Sequence, residues 1–120
     1  MIMPAAIINE WQYASTSDIA DTTPVEVKAA PGAANRHRVT GIHVVNSDTA
    51  VGTYVQLLSG STVIWTGFVP PYIAAAPGTN VDGDQFVKSL IGGLNEAINV
   101  ACVTTSAQVR VSVQGVTVTG

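Results

Sequence analysis

The sequence predicts an all-β fold, an antiparallel sandwich or barrel of about eight short strands. Three observations predict it. Apolar and polar residues alternate with a period of two in run after run of the 120 residues. Turn-forming residues separate these runs at fairly regular spacing. The one helical candidate, residues 90–98, contains Gly92-Gly93, and two glycines inside a helix cost about 2 kcal/mol together.

Residues 1–23 are the least periodic part. Trp11 and Tyr13 flank polar Gln12 in the pattern of one short edge strand, and Ser15-Thr16-Ser17-Asp18 is turn chemistry. This segment reads as an extended N-terminal arm that packs either on its own domain or on a neighbour. The sandwich domain occupies residues 24–120. Its first strand, residues 24–29, starts at Pro24, as a strand start permits, with Glu26 and Lys28 on the solvent face. Pro31-Gly32 is a turn.

The centre of the chain is residues 38–69. Residues 39–45 form a strand rich in β-branched side chains, and residues 46–50 a loop. In residues 51–58, Val51, Thr53, Val55 and Leu57 alternate with Gly52, Tyr54, Gln56 and Leu58. Ser59-Gly60-Ser61 is a turn, because glycine accepts positive φ without steric cost. Residues 62–69 send Val63, Trp65 and Val69 to one face, and Ile64 and Phe68 to the other. Large apolar groups on both faces predict cover on both.

Pro70-Pro71 ends the pairing, since neither residue has an N–H to donate. An Ala/Pro-rich crossover follows over residues 72–78, then a turn-rich piece over 79–83 and a short strand over 85–88. Residues 97–104 alternate again. Val109, Val111 and Val113 alternate with Gln108, Arg110, Ser112 and Gln114, the clearest half-buried strand in the chain. Gly115 is expected to break the phase at a bulge or bend, with Val116 and Val118 taking over.

Composition narrows the function classes. Apolar residues make up 47% and charged residues 11%, against about 25% charged in an ordinary soluble domain. So few charges predict that much of the surface faces other protein. A net charge of −3 with five basic residues does not supply the Lys/Arg cluster that nucleic acid needs. The local group Arg36-His37-Arg38 reads as a strand entrance or an interface contact. No apolar run approaches the roughly 20 residues of a membrane span. The N-terminal residues carry no basic stretch of the signal-peptide kind. Cys102, the single cysteine, reads as a small core residue compatible with a reducing cytoplasm.

No catalytic chemistry is legible, and the expectation is a protein that is not an enzyme, with no cofactor and no metal. Asn80, Asp82 and Asp84 alternate around Gly83. They do not complete a calcium loop and read as turn-forming residues. His43 lies mid-strand and reads as a hydrogen-bonded or interface histidine. No Gly-x-Ser-x-Gly elbow occurs. Trp65 reads as core, whereas Phe68 and Tyr72 read as interface residues.

Three strings carry a resemblance. They are Val27-Lys28-Ala29-Ala30-Pro31-Gly32-Ala33 with Arg36 and Val39-Thr40-Gly41-Ile42, then residues 61–70, then residues 94–100 with the closing residues 109–115. Together they resemble small β-sandwich virion proteins of tailed bacteriophages, of the capsid decoration (cement) type. The likeness spans residues 25–120. It implies a jelly-roll-like sandwich that assembles as a homotrimer. Such a protein, made in the host cytoplasm, sits on the capsid exterior and stabilises contacts between major capsid protein subunits. The interface candidates are Trp11, Tyr13, Arg36, Arg38, His43, Phe68 and Tyr72. The alternative is a tail or fibre tip module that binds host carbohydrate through Tyr72, Asn80, Asp82 and Asp84.

Overall fold

The computed structural model describes residues 6–120. Residues 1–5 of the expected arm lie outside the described residues. Eight strands follow in order: β1 (Ile7–Ala14), β2 (Val25–Lys28), β3 (Asn35–Asn46), β4 (Thr53–Ser59), β5 (Thr62–Val69), β6 (Val81–Ile91), β7 (Ile98–Cys102) and β8 (Val109–Thr119). They form two four-stranded sheets, ordered β1-β8-β3-β6 and β2-β7-β4-β5. Every pairing is antiparallel.

The pairings β1·β8, β2·β7, β3·β6 and β4·β5 are those of one long antiparallel ribbon rolled up on itself. Every step along the chain except β4 to β5 crosses between sheets. This is the jelly-roll arrangement that the resemblance implied, and one of the antiparallel sandwiches that the strand pattern allowed.

Alternation produces the core. On β8, Val109, Val111 and Val113 are buried, Arg110 and Ser112 between them are exposed and half-buried, and Gln114 after them is exposed. On β4, Thr53, Val55 and Leu57 point inward. Val39, Val44, Val55, Leu57, Val69, Ile98, Val100, Val109 and Val113 are wholly buried between the sheets. Their branched side chains suit a pleated, covered surface.

Three strands run longer than their alternation indicated. β3 begins at Asn35, because Arg36, His37 and Arg38 all pair with β8. β6 begins at Val81, because residues 81–85 pair with residues 41–45 of β3. The turn propensity of Asp82 and Gly83 is overridden by that ladder. β8 runs unbroken through Gly115: the inward residue after it is Thr117, so the phase continues. The irregularity sits on the partner strand, between Val39 and Gly41. Gly115 serves a different purpose. A Cβ there would collide with the indole of Trp11 and approach the carbonyl oxygen of Arg38.

The β4–β5 hairpin turns at Gly60, whose φ is +58°. Its register shifts between Leu57 and Leu58, leaving Ile64 without a partner. At this bulge Ile64 and Trp65 both pack against the core, so strict alternation misplaces Ile64.

The end of the sandwich beyond Asn46 is gathered by that one buried side chain. Asn46 Nδ2 donates to the carbonyls of Val51 at 2.8 Å and Val69 at 3.4 Å. Its Oδ1 accepts from the N–H groups of Asp48 at 3.0 Å and Gln108 at 3.2 Å. Asn80 Nδ2 donates to the Asn46 carbonyl at 2.7 Å.

Candidate functional site

Outward positions on the two sheets carry different chemistry, and the candidate site is a sheet face, not a catalytic cleft. The strands β4, β5 and β7 lie side by side and contain no Asp, Glu, Lys, Arg or His. Tyr54 and Phe68 face each other across β4 and β5. Their ring centroids are 5.0 Å apart with planes tilted by 59°. Tyr54 is 53% exposed and Phe68 47%. Val103, exposed, continues the patch, since its N–H donates to the Tyr54 carbonyl at 2.9 Å. Pro71 and the Phe68 ring close over Gly52. Tyr72 and Ile73 follow on the adjoining loop, both exposed. Two rings packed at a tilt and exposed to water on an uncharged face form an apolar platform of the kind that marks a docking surface.

The expected interface residues separate into three groups. Phe68 and Tyr72 are exposed, and so is His43, which lies on the outer face of the other sheet. Arg36 spans two chain segments within the domain, donating to the carbonyls of Gly92 at 3.2 Å and Gly120 at 3.1 Å. Arg38 is half-buried, and its Nε–H has no partner among the described residues. Trp11 and Tyr13 pack on the chain's own domain, one of the two placements the sequence left open. From Ile7 onward the N-terminal segment is an edge strand of the chain's own sheet, with Trp11 opposite Gly115 and Tyr13 opposite Val113. Trp11 lies in the core cluster and Tyr13 packs against it, because their side of β1 faces the other sheet. Burial removes Trp11 from the surface that a partner could reach.

Of the residues named for the carbohydrate alternative, Tyr72 is exposed, whereas Asn80, Asp82 and Asp84 make hydrogen bonds within the chain. Asn80 is buried on the Asn46 carbonyl. Asp84 Oδ2 accepts from the indole N–H of Trp65 at 2.7 Å, joining β6 to β5 across the open side of the sandwich. Asp82 Oδ1 accepts from the N–H of Gly83 at 2.7 Å. Among the described residues, no group of three or more His, Cys, Asp or Glu side chains is placed to hold a metal ion.

Two titratable groups are perturbed, and both belong to the interior. His37 is buried. Its Nε2 lies 2.7 Å from the Ala29 carbonyl, which only accepts, so Nε2 carries the proton. Nδ1 then accepts from the Thr117 hydroxyl at 2.8 Å. Its ring and that of Trp11 meet nearly at right angles, with planes at 77° and centroids 5.5 Å apart. Burial pulls its pKa below the ordinary 6.5, the Ala29 hydrogen bond opposes this, and the Lys28 charge adds to it. Burial pushes the Cys102 thiol up to about 11, and the Asp21 charge pushes the same way. A thiol so raised is not a nucleophile at neutral pH. It remains the small core residue that the sequence indicated.

Sequence reasoning missed Tyr54 as part of the surface. The signal was present: on an alternating strand, Tyr54 shares a side with Gln56, away from Val55 and Leu57.

No protein-family model matches the chain, and no curated protein matches it. Among solved structures, the insecticidal δ-endotoxin Cry8Ea1 of Bacillus thuringiensis is similar, with a TM-score of 0.42 and 12% identity. The similarity covers 89% of this chain and 19% of the toxin, so the chain spans about a fifth of that protein's length.

Proposed function

We propose that the chain is a structural, non-enzymatic virion protein of the capsid decoration type. In this reading it binds the outer capsid surface as a homotrimer and stabilises contacts between major capsid protein subunits. The observation that carries the proposal is the uncharged outer face of β4, β5 and β7 with its paired, exposed Tyr54 and Phe68 rings. Burying that platform against protein removes apolar area from water at about 25 cal/mol per Å². The sequence resemblance supplies the kind of partner. A protein that binds the assembled shell better than its separated subunits stabilises the shell by mass action. Many copies acting at once multiply a modest affinity.

The test is cosedimentation of the purified chain with capsids assembled from the major capsid protein of the same genome, preceded by light scattering. The reading expects a mass of three chains and saturable capsid binding. It also expects that the double substitution Tyr54→Asp, Phe68→Asp abolishes binding while the far-ultraviolet circular dichroism is unchanged. A monomer absent from the pellet overturns it.

A further inference from the structure

The outer face of the other sheet carries a second, chemically opposite surface. Register places Gln12 of β1 opposite Gln114 of β8, Gln114 opposite Gly41 of β3, and Gly41 opposite Gln85 of β6. Three glutamines and a glycine therefore form one row across all four strands. At about 4.8 Å per strand, the row is about 14 Å long. The next row contains Ser112, His43 and Gly83, again directly opposite one another.

Glycine at positions 41 and 83 hollows the middle of the face. The Gln85 amide packs over Gly41, with Nε2 2.8 Å from where a Cβ on Gly41 would sit. Hollows of about 460, 40 and 510 Å³ run side by side across the sheet. The first two share Gln114, and the last two share His43 and Gln85.

The polar side chains of this trough have no internal task. Among the described residues, the side chains of Gln12, Gln85, Gln114, Ser112 and His43 make no hydrogen bond within the chain, although the rest of the fold uses its polar groups freely. Each glutamine offers two donors and one acceptor oxygen, and serine and neutral histidine offer both kinds. Paired donors and acceptors at fixed spacing match the vicinal hydroxyls of a sugar.

Other ligands fit less well. Nucleic acid and phosphate need a cationic surface, but these hollows are lined by the carboxylates of Glu10, Asp82 and Asp84 and by no lysine or arginine. A protein partner would be anchored by buried aromatic or aliphatic groups, and the two rows contain none. β8 and β3 are interior strands whose backbone groups are already paired, so a peptide cannot add to them as a strand.

We infer that the Gln12–Gln114–Gln85 trough binds a neutral oligosaccharide laid across the strands. The inference does not depend on capsid docking, which uses the opposite side of the sandwich.

The experiment is a heteronuclear NMR titration of the full isotopically labelled chain. The probes are neutral hexasaccharides of glucose, xylose, mannose and N-acetylglucosamine, with an uncharged extended peptide as the rival. At least one saccharide is expected to shift the side-chain NH₂ resonances of Gln12, Gln85 and Gln114 saturably at millimolar concentration. Gln114→Ala is expected to weaken that binding about tenfold through two lost hydrogen bonds. Gln85→Ala should weaken it as well, and Tyr54→Ala should leave it unchanged. The inference is overturned if no saccharide shifts these resonances, if only the peptide does, or if both glutamine variants bind like the parent. Failure of this titration leaves the cosedimentation result untouched, so the two readings fall separately.

Discussion

The two sheets have four strands each and nearly interchangeable inner faces, yet they present opposite surfaces to solvent. Inward, both are paved with Val, Ile and Leu. Outward, β4, β5 and β7 show rings, aliphatic groups and the uncharged polar side chains of Gln56, Thr66 and Asn99, with no charge, whereas β1, β8, β3 and β6 show a row of glutamines around a glycine hollow. Packing explains the inner likeness: either sheet needs branched apolar groups to fill the gap between layers. It explains nothing about the outer difference, because core filling places no demand on outward positions. The outer faces therefore carry the information about function, one suited to dry contact with protein and the other to hydrogen bonding with a polar ligand.

The comparison depends on the inward–outward assignment, and the sharpest attempt to break it is on β8. Val111 is 2% exposed and Arg110 faces solvent, where it pairs with Asp18 at 2.9 Å. Val111→Asp places an unpaired carboxylate between the sheets and should cost about 4 kcal/mol or more, enough to unfold a domain of ordinary stability. Arg110→Ala removes an exposed ion pair worth about 0–1 kcal/mol. Urea denaturation of the two variants checks this. A larger loss from Arg110→Ala would shift the strand by one residue and exchange its faces.

A somewhat smaller effect is expected where the loops meet. Asn46→Ala leaves the Val69 carbonyl and the N–H groups of Asp48 and Gln108 without their side-chain partner. Buried groups left unpaired cost about 1–3 kcal/mol each, and partial rehydration limits the total to about 2–4 kcal/mol. The midpoint in urea should fall with the m-value unchanged. A normal midpoint would show that these loops hold without the asparagine.

Much of this fold was legible in the sequence because alternation is a local signal. β5 appears with the bounds expected of it, residues 62–69, and residues 109–113 alternate inward and outward as read. The misreadings arose where a distant strand decided the outcome. Asn80, Asp82 and Gly83 have turn chemistry, but β3 recruits residues 81–85 into a ladder. Gly115 resembles a phase break, but it makes room for Trp11, which lies 104 positions earlier in the chain and opposite it in register. Of the two candidate surfaces, Phe68 and Tyr72 were visible as large apolar residues beside a proline pair. The glutamine row was not, because Gln12, Gln85 and Gln114 meet only through the registers of three strand pairs.

Acid offers a graded way to loosen the two sheets from each other. His37 joins β3 to Thr117 of β8 on one side and to the Ala29 carbonyl, just beyond β2 of the opposite sheet, on the other. Its pKa is lowered in the folded protein, so between that value and about 6.5 the unfolded chain binds more proton than the folded one. Stability is therefore greatest above about pH 6.5 and falls as pH drops below it, with a slope of up to about 1.4 kcal/mol per pH unit from this group. The measurement is the difference in unfolding free energy between the parent and His37→Gln, followed from about pH 7.5 to about pH 5. If the difference does not change with pH, the histidine is not desolvated as the structure places it.

The smallest effect bears most directly on the two outer faces. Tyr54→Ala removes one member of an exposed ring pair, an arrangement worth about 0.5–1.5 kcal/mol, and Gln114→Ala removes a side chain with no internal hydrogen bond, expected within about 0.5 kcal/mol of neutral. Neither should change the fold, and differential scanning calorimetry would register at most a small shift. The ordering matters more than the values. If the glutamine row were structural, a ladder bracing the sheet, then Gln114→Ala would cost more than Tyr54→Ala, and the trough would need no ligand to account for it. If Gln114→Ala is silent in stability, the row contributes nothing to folding. Three aligned amides on interior and edge strands then call for a role outside the chain.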